Sequence, residues 1–429
     1  MKRFCFFIMF IFTLASIYSQ TGANINSGTD NYSRTDNLRF KVAIYGPSDE
    51  IFIWWGHAAL IVEDIRYNYS RVFDWGVFTY PSDNFLEDFL KDQVRYKCES
   101  SYFDSGQYIT EDRDIAVYTL NLDRKAKETI LAYAENNVLP DNSYYDYHEF
   151  RDNCSTRIRD ILDLGTGGQF RAAFGSIPGR FSVRQHIRRY TWFRPVSDWF
   201  LGFLIGQDLD REITPWDEMF LPVEIARNIT GFSYIDESGV KRRLVDSIEI
   251  LNSSKNRPPI LNEPLDTRPF TLILGIMAGA VILFIRILQN KFQRTGRILM
   301  GIIQSLLGLF LGGSGCVLFF GLFFLNNDYI QQNFNAMFMN PLLLAAVPLG
   351  IMTAINKPKK LNPQKILSVF WTCVFLAAVL SVLLWILPFF YQKNMDVLFM
   401  ILPSVFALSC LPEKITGQLC IKKHQAVNP

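Results

Sequence analysis

The chain has 429 residues, more than one ordinary domain holds and comfortable for two. Its 43 lysines and arginines against 41 aspartates and glutamates leave a net charge of +2, too little to mark a nucleic-acid partner. Hydrophobic residues make up 49% and aromatics 15%, and charge almost vanishes in long runs after Pro269, the pattern of a soluble domain joined to a membrane domain.

Lys2 and Arg3 precede an apolar run at 4–17 and then Ser19, which reads as a secretory signal peptide over residues 1–19. The chain after the signal therefore starts outside the cytoplasm. Residues 20–37 are polar and form a flexible leader. A catalytic domain is expected over 38–251, of α+β class with strands outnumbering helices. FKVAIYG is a strand from Phe40, and Pro47 to Glu50 a turn. HAALIVED is a strand covered on both faces, since both of its parities are apolar. RVFDWGVFTY, residues 71–80, is a strand broken at Gly76. DNFLEDFLKDQV is a helix capped by Ser82 or Asp83. RYKCESSYF and DIAVYTLNL are further strands, and Asp123 caps a helix to about Asn137. YYDYHEF reads as a short aromatic strand leading into FRDNCSTRIRDIL. There Asn153 is a good N-cap for a helix that opens on Cys154 and stops at Gly165. Trp192, Trp199, Phe200 and Phe203 form an aromatic patch that is either core, the first reading, or a lipid-facing surface. Residues 252–268 are a linker by composition.

Five spans are expected within 269–412, at 269–288, 298–325, 337–355, 366–390 and 395–411. Arg286, Lys291, Arg294 and Arg297 follow the first, Lys357, Lys359, Lys360 and Lys365 the third, and Lys414, Lys422 and Lys423 the fifth. By the positive-inside rule the soluble domain is outside and the tail, 413–429, is cytoplasmic. No charge sits mid-span, so the spans anchor the domain or present lipid to it rather than pump ions.

Of seven cysteines, only Cys98 and Cys154 fall in the exported domain. Cys154 in the first turn of a helix is favoured as a thiolate by the helix dipole, and the free backbone N–H groups of residues 154 and 155 suit an oxyanion. The opposing readings are a small buried hydrophobe or a Cys98–Cys154 disulfide. A thiol nucleophile needs a base and the base an orienter. His57 in WWGHAALIVED, His148 in the aromatic strand and His186 in RQHIRRY are the histidines there. His148 precedes Cys154 by about 20 Å of extended chain, and His186 reads as surface-exposed. Asp74 in FDWG is a carboxylate on an apolar strand and the candidate orienter. Trp55, Arg157 and Tyr147 are candidate substrate contacts. Arg157 and Arg159 suit phosphate, or pair with Asp160 and Asp163. No cluster has metal-ligand spacing, so neither metal nor cofactor is expected.

GHAAL on a strand, followed later by NC at a helix start, resembles circularly permuted papain-like proteins. These include the lecithin:retinol acyltransferase group and are related to NlpC-type peptidases. WGHAALIVED, FDWGVFTY, YDYHEFRDNCSTRIRDIL and TPWDEMFLP more closely resemble the Lnb family, the alternative lipoprotein N-acyltransferases of Gram-negative bacteria, and the five-span layout is similar. The resemblance implies a permuted papain-like periplasmic domain on five membrane helices in the inner membrane. It implies Cys154 as nucleophile, His57 as base and Asp74 as third member, at a wider spacing than in the related acyltransferases. The implied donor is a membrane phospholipid and the implied acceptor the α-amine of a diacylglyceryl-cysteine lipoprotein. Two other classes stay open: a cysteine peptidase or amidase acting on cell wall, and a non-catalytic envelope protein with a Cys98–Cys154 disulfide.

Overall fold

The computed structural model describes residues 34–50, 53–78, 96–325, 329–355, 362–387 and 389–409. The signal peptide, most of the leader, the helix expected at 83–94, Lys357 to Lys360 and the tail lie outside them. The strands are β1 (Leu38–Tyr45), β2 (His57–Asp64), β3 (Tyr69–Phe78), β4 (Tyr96–Tyr102), β5 (Ile115–Leu120), β6 (Tyr144–Tyr145), β7 (Ser233–Ile235), β8 (Lys241–Arg243) and β9 (Val245–Asn252). The helices before the membrane region are α1 (Gly106–Thr110), α2 (Arg124–Asn137), α3 (Cys154–Gly165), α4 (Gln169–Phe174), α5 (Val183–Thr191), α6 (Pro195–Leu204), α7 (Pro215–Glu218) and α8 (Pro222–Gly231).

One seven-stranded antiparallel sheet, ordered β6-β4-β3-β2-β1-β5-β9, organises the soluble part. The doubly apolar β2 lies inside it, and both its faces are covered. On one face Phe40, Val42, Leu60, Phe73 and Trp75 meet Ile130, Ile158, Ile161 and Leu162 of α2 and α3. On the other, Ala43, Tyr45, Ala59, Ile61 and Val117 form a smaller cluster with Phe103 and Tyr108. Burial of this kind contributes about 25 cal/mol per Å² of apolar surface, which is why the central strands read as continuous hydrophobic runs. YYDYHEF is not a strand along its length. Only Tyr144–Tyr145 pairs with β4, and His148 to Asp152 close a tight turn before α3.

Among the described residues, four helices are long and apolar enough to cross a bilayer: α9 (Arg268–Lys291), α10 (Gln293–Phe324), the stretch Phe334–Ile355 that ends in α11 (Ala346–Ile355), and α12 (Pro363–Leu384). The fifth expected span is shorter than foreseen. It is α13 (Met395–Leu408), 14 residues with Pro403 inside. At about 21 Å it falls short of the roughly 30 Å hydrocarbon core. It runs beside α9 in the same direction. A side chain at Gly275 would stand 2.1 Å from the Phe399 carbonyl, so only glycine permits the approach. At the far end Arg286 donates to the carbonyls of Leu408 and Ser409 at 2.8 and 3.2 Å.

The aromatic patch divides. Phe203 is fully buried among membrane-region side chains, and Trp199 stacks between Phe203 and Phe310. Around α6 a polar network joins the two parts. Asn333 Nδ2 donates to the carbonyls of Phe203 and Leu204, both at 2.9 Å, Gln392 Nε2 donates to Ile205 O at 2.9 Å, and Arg188 pairs with Asp396. The linker is strapped down as well: Arg257 forks onto Asp49 and reaches the Glu111 carbonyl, and Asp112 accepts the N–H groups of Lys255 and Asn256.

Candidate active site

The site forms where β2 begins, β3 bulges and α3 starts. Gly56 has φ +82°, and a Cβ there would stand 2.5 Å from the Tyr45 carbonyl. Only glycine makes this turn cheaply, and the turn delivers His57 as the first residue of β2. Ala59 pairs with Asp74, so Asp74 lies diagonally across from His57, and His57 Nε2 meets Asp74 Oδ1 at 2.7 Å. The ring also stacks on Tyr45. With Nε2 engaged, Nδ1 is the nitrogen left for the thiol.

Gly76, with φ +91°, marks the bulge between Trp75 and Val77. Its missing side chain leaves a hollow. A carbon placed on it would stand 3.6 Å from Tyr147 Cε2, 3.7 Å from Cys154 Cβ and 3.8 Å from the Tyr145 hydroxyl oxygen.

Asn153 caps α3 as its sequence demands. Its Oδ1 accepts the N–H groups of Ser155 and Thr156, each at 2.9 Å, and its own N–H donates to Thr156 Oγ1 at 2.7 Å. Its Nδ2 donates to the carbonyls of Glu149 and Phe220 at 2.7 and 3.0 Å, which ties the cap to the TPWDEMFLP segment. The N–H of residue 155 is therefore taken and cannot serve an oxyanion as expected. The Cys154 N–H remains.

The electrostatics suit a thiolate–imidazolium pair. Burial disfavours the imidazolium, but the Asp74 carboxylate and the Cys154 sulfur outweigh it and hold His57 well above its usual range. Burial likewise pushes the Cys154 thiol up. The charge of His57, its hydrogen bond and the Ala58 N–H outweigh that and bring the thiol below its usual value. Cys98, buried at 3% exposure, is different: burial, then the Asp74 charge, pushes its thiol up to about 12. Cys98 and Cys154 are both free thiols, so the disulfide reading is not realised.

Of the other candidates, Tyr147 lies nearest: its ring borders the hollow and stacks on Tyr96 at 4.0 Å. Trp55, two residues before His57, packs against the buried cluster that includes Ile187 and Phe220, and its indole N–H has no partner among the described residues. Arg157 is engaged internally, by neither Asp160 nor Asp163. It forks onto Asp152 at 2.5 and 2.7 Å and lies over the Tyr145 ring at 4.4 Å. Arg159 holds Asp160 and the Trp216 carbonyl. His148 Nδ1 accepts the Phe150 N–H and so serves the turn. His186 is not on the surface. It is fully buried, accepts from Arg189 at 2.8 Å and donates to Glu218 at 3.1 Å. Among the described residues no group of three or more His, Cys, Asp or Glu could hold a metal.

One residue of the YDYHEFRDNCSTRIRDIL stretch was not singled out from the sequence as a site residue. The Tyr145 hydroxyl is buried with no hydrogen-bond partner among the described residues. The break of the β3 pattern at Gly76, which opens the space in front of it, was the available signal.

Residues 29–189 match the family model of the Lnb N-terminal periplasmic domain, a stretch that contains His57, Asp74 and Cys154. No curated protein and no solved structure matches the chain.

Proposed function

From an Lnb periplasmic domain carried on membrane-capable helices, we propose that the chain is a cysteine-dependent lipoprotein N-acyltransferase of the bacterial inner membrane. The observation that carries this reading is the arrangement of His57 with Asp74 at 2.7 Å and with the Cys154 thiol at a helix start. Their chain order, histidine and aspartate on strands and cysteine on a later helix, is that of permuted papain-like enzymes and supports assigning the domain to them. The Cys154 thiolate attacks an acyl ester of a membrane phospholipid. The lysophospholipid oxygen leaves with the proton of the His57 imidazolium, and a thioester remains. The α-amine of a diacylglyceryl-cysteine then attacks the thioester, the C–S bond breaks and Cys154 leaves as the thiolate, His57 takes the proton lost by the amine, and Asp74 steadies the imidazolium. An α-amine has a pKa near 7.7 to 8.0, so a substantial share is already neutral.

The position of the site beside the membrane region supports lipid substrates over cell-wall peptides. Phe150, in the turn before Cys154, packs edge-on against Tyr329 at 5.7 Å. Residues 329–335 and 391–396 both touch the soluble domain, as loops on one side of a membrane would. Arg286 and Lys291 end α9 on the opposite side, where α13 also ends, and this supports a cytoplasmic C-terminus.

The test uses the full chain in phospholipid vesicles with radiolabelled acyl chains. The wild type takes up a hydroxylamine-labile label and passes it to a diacylated lipopeptide. Cys154→Ala takes up none, and Cys98→Ala labels normally. Labelling that survives Cys154→Ala sinks the proposal.

A further inference from the structure

The Tyr145 hydroxyl has no role in the resting fold. Its oxygen is buried, and no described residue donates to it or accepts from it. A buried hydroxyl left unpaired is costly, so a fold that keeps one usually has a use for it. Three observations fix what stands in front of it. The hollow left by Gly76 is bounded by the Tyr145 oxygen, Cys154 Cβ and Tyr147 Cε2, all at ordinary contact distance from one carbon-sized position. A side chain cannot fill that hollow cheaply, because φ at Gly76 is +91°. The backbone donor expected at residue 155 is occupied by Asn153 Oδ1, so the helix start offers the Cys154 N–H and is one donor short of a pair.

We propose that Tyr145 is a catalytic residue whose hydroxyl, with the Cys154 N–H, binds the oxyanion formed when the Cys154 sulfur adds to an acyl carbonyl seated in the Gly76 hollow. This rests on the acyl-transfer reading above. In the step the S–C bond forms and the carbonyl π pair moves onto oxygen. The Tyr145 O–H donates a hydrogen bond to that oxygen and keeps its proton. Collapse restores the C=O and expels the lysophospholipid alkoxide, which takes the proton of His57. The same pair acts again when the amine attacks the thioester.

Arg157 then has a place. Fixed by Asp152, its guanidinium lies 4.4 Å over the Tyr145 ring and draws charge from the phenol, which makes the O–H a better donor. Burial, and next the Cys154 sulfur, raise the phenol above its ordinary value, so it holds its proton wherever the enzyme works.

The experiment compares full-length wild type and Tyr145→Phe in phosphatidylethanolamine vesicles carrying labelled acyl chains, read as single-turnover acylation of Cys154. The phenylalanine keeps the ring and the Arg157 contact. Acylation should slow by about 10²–10³-fold, with the dependence on lipid concentration unchanged. Iodoacetamide should alkylate Cys154 at the wild-type rate and with the wild-type pH profile, because the ion pair is intact, and the Tm should not fall, because no hydrogen bond is lost. Acylation within threefold of wild type overturns the assignment. So does a loss of alkylation that parallels the loss of acylation, which would make Tyr145 a support for Cys154. A wild type that takes no label overturns the acyl-transfer reading itself, whereas a labelled wild type beside an equally fast Tyr145→Phe overturns only the role of Tyr145.

Discussion

At the scale of single residues, the two thiols of the sheet domain, Cys98 and Cys154, differ in charge environment more than in exposure, for both are buried. Cys154 has the His57 cation hydrogen-bonded to it, whereas at Cys98 burial and the Asp74 carboxylate outweigh the opposing charges of Arg157 and Arg71. Iodoacetamide at pH 7 should therefore label Cys154 and spare Cys98. Because the Cys154 pKa lies below its ordinary value near 8.5, its labelling should persist below that pH and fall only as pH drops through the lowered value. His57→Ala removes the lowering charge and leaves burial, so the labelling midpoint should move alkaline by about one unit or more. Peptide mapping across pH reads both, and a His57→Ala profile that overlays wild type refutes the ion pair. Asp74 is the main support of the raised His57 value. In Asp74→Asn the imidazolium should lose its proton at lower pH, which draws in the alkaline limb of the acyl-transfer profile.

At the scale of elements, the start of α3 joins fold and site. Asn153→Ala removes an N-cap, about 1 kcal/mol, and leaves the Phe220 carbonyl unpaired in a buried place, roughly 1–3 kcal/mol more. The Tm should fall by several degrees, whereas Asn153→Asp, which keeps the cap and loses the Nδ2 donor, should fall by less. A differential-scanning measurement that ranks them the other way refutes this account. This element was legible in the sequence because capping is local: Asn153, Cys154 and the apolar spacing after them lie within one stretch. The pairing of His57 with Asp74 was half legible, since both strands could be read but their register could not. What escaped depends on distant partners. RQHIRRY looks like a solvated face, yet α5 is buried because Glu218, Glu224, Asp210 and Asp396, all from later segments, neutralise its cations. VDSIEILN pairs with the distant β5 as the edge strand β9, with exposed side chains along most of its length. The span expected at 395–411 is helical only over Met395–Leu408 and keeps inside it the Pro403 that already interrupts the apolar run in the sequence.

At the scale of the whole molecule, α6 and the loop after it are the hinge between chemistry and membrane. Gly206 donates its N–H to the Tyr329 carbonyl at 2.8 Å, and a Cβ there would stand 1.9 Å from the Gln331 carbonyl. Gly206→Leu should pry the two parts apart. Acyl transfer from vesicle lipid should fall at least about tenfold through lost positioning, while alkylation of Cys154 stays at the wild-type rate. Equal loss of both would mean that the dock holds the fold together rather than the substrate. The sheet has a further consequence, for the order of events during synthesis. Its last strand, β9, ends at Asn252, and α9 begins at Arg268. The segment matching the Lnb model ends at residue 189, before Trp216, Ile225 and Phe232 of the main core have been made. Until β9 arrives, β5 is an open edge able to pair with another chain. Closure of the sheet thus becomes possible only shortly before the first of the long apolar helices is made. A chain stalled at residue 230 should be cut readily by protease added outside, and one stalled after α9 should resist it.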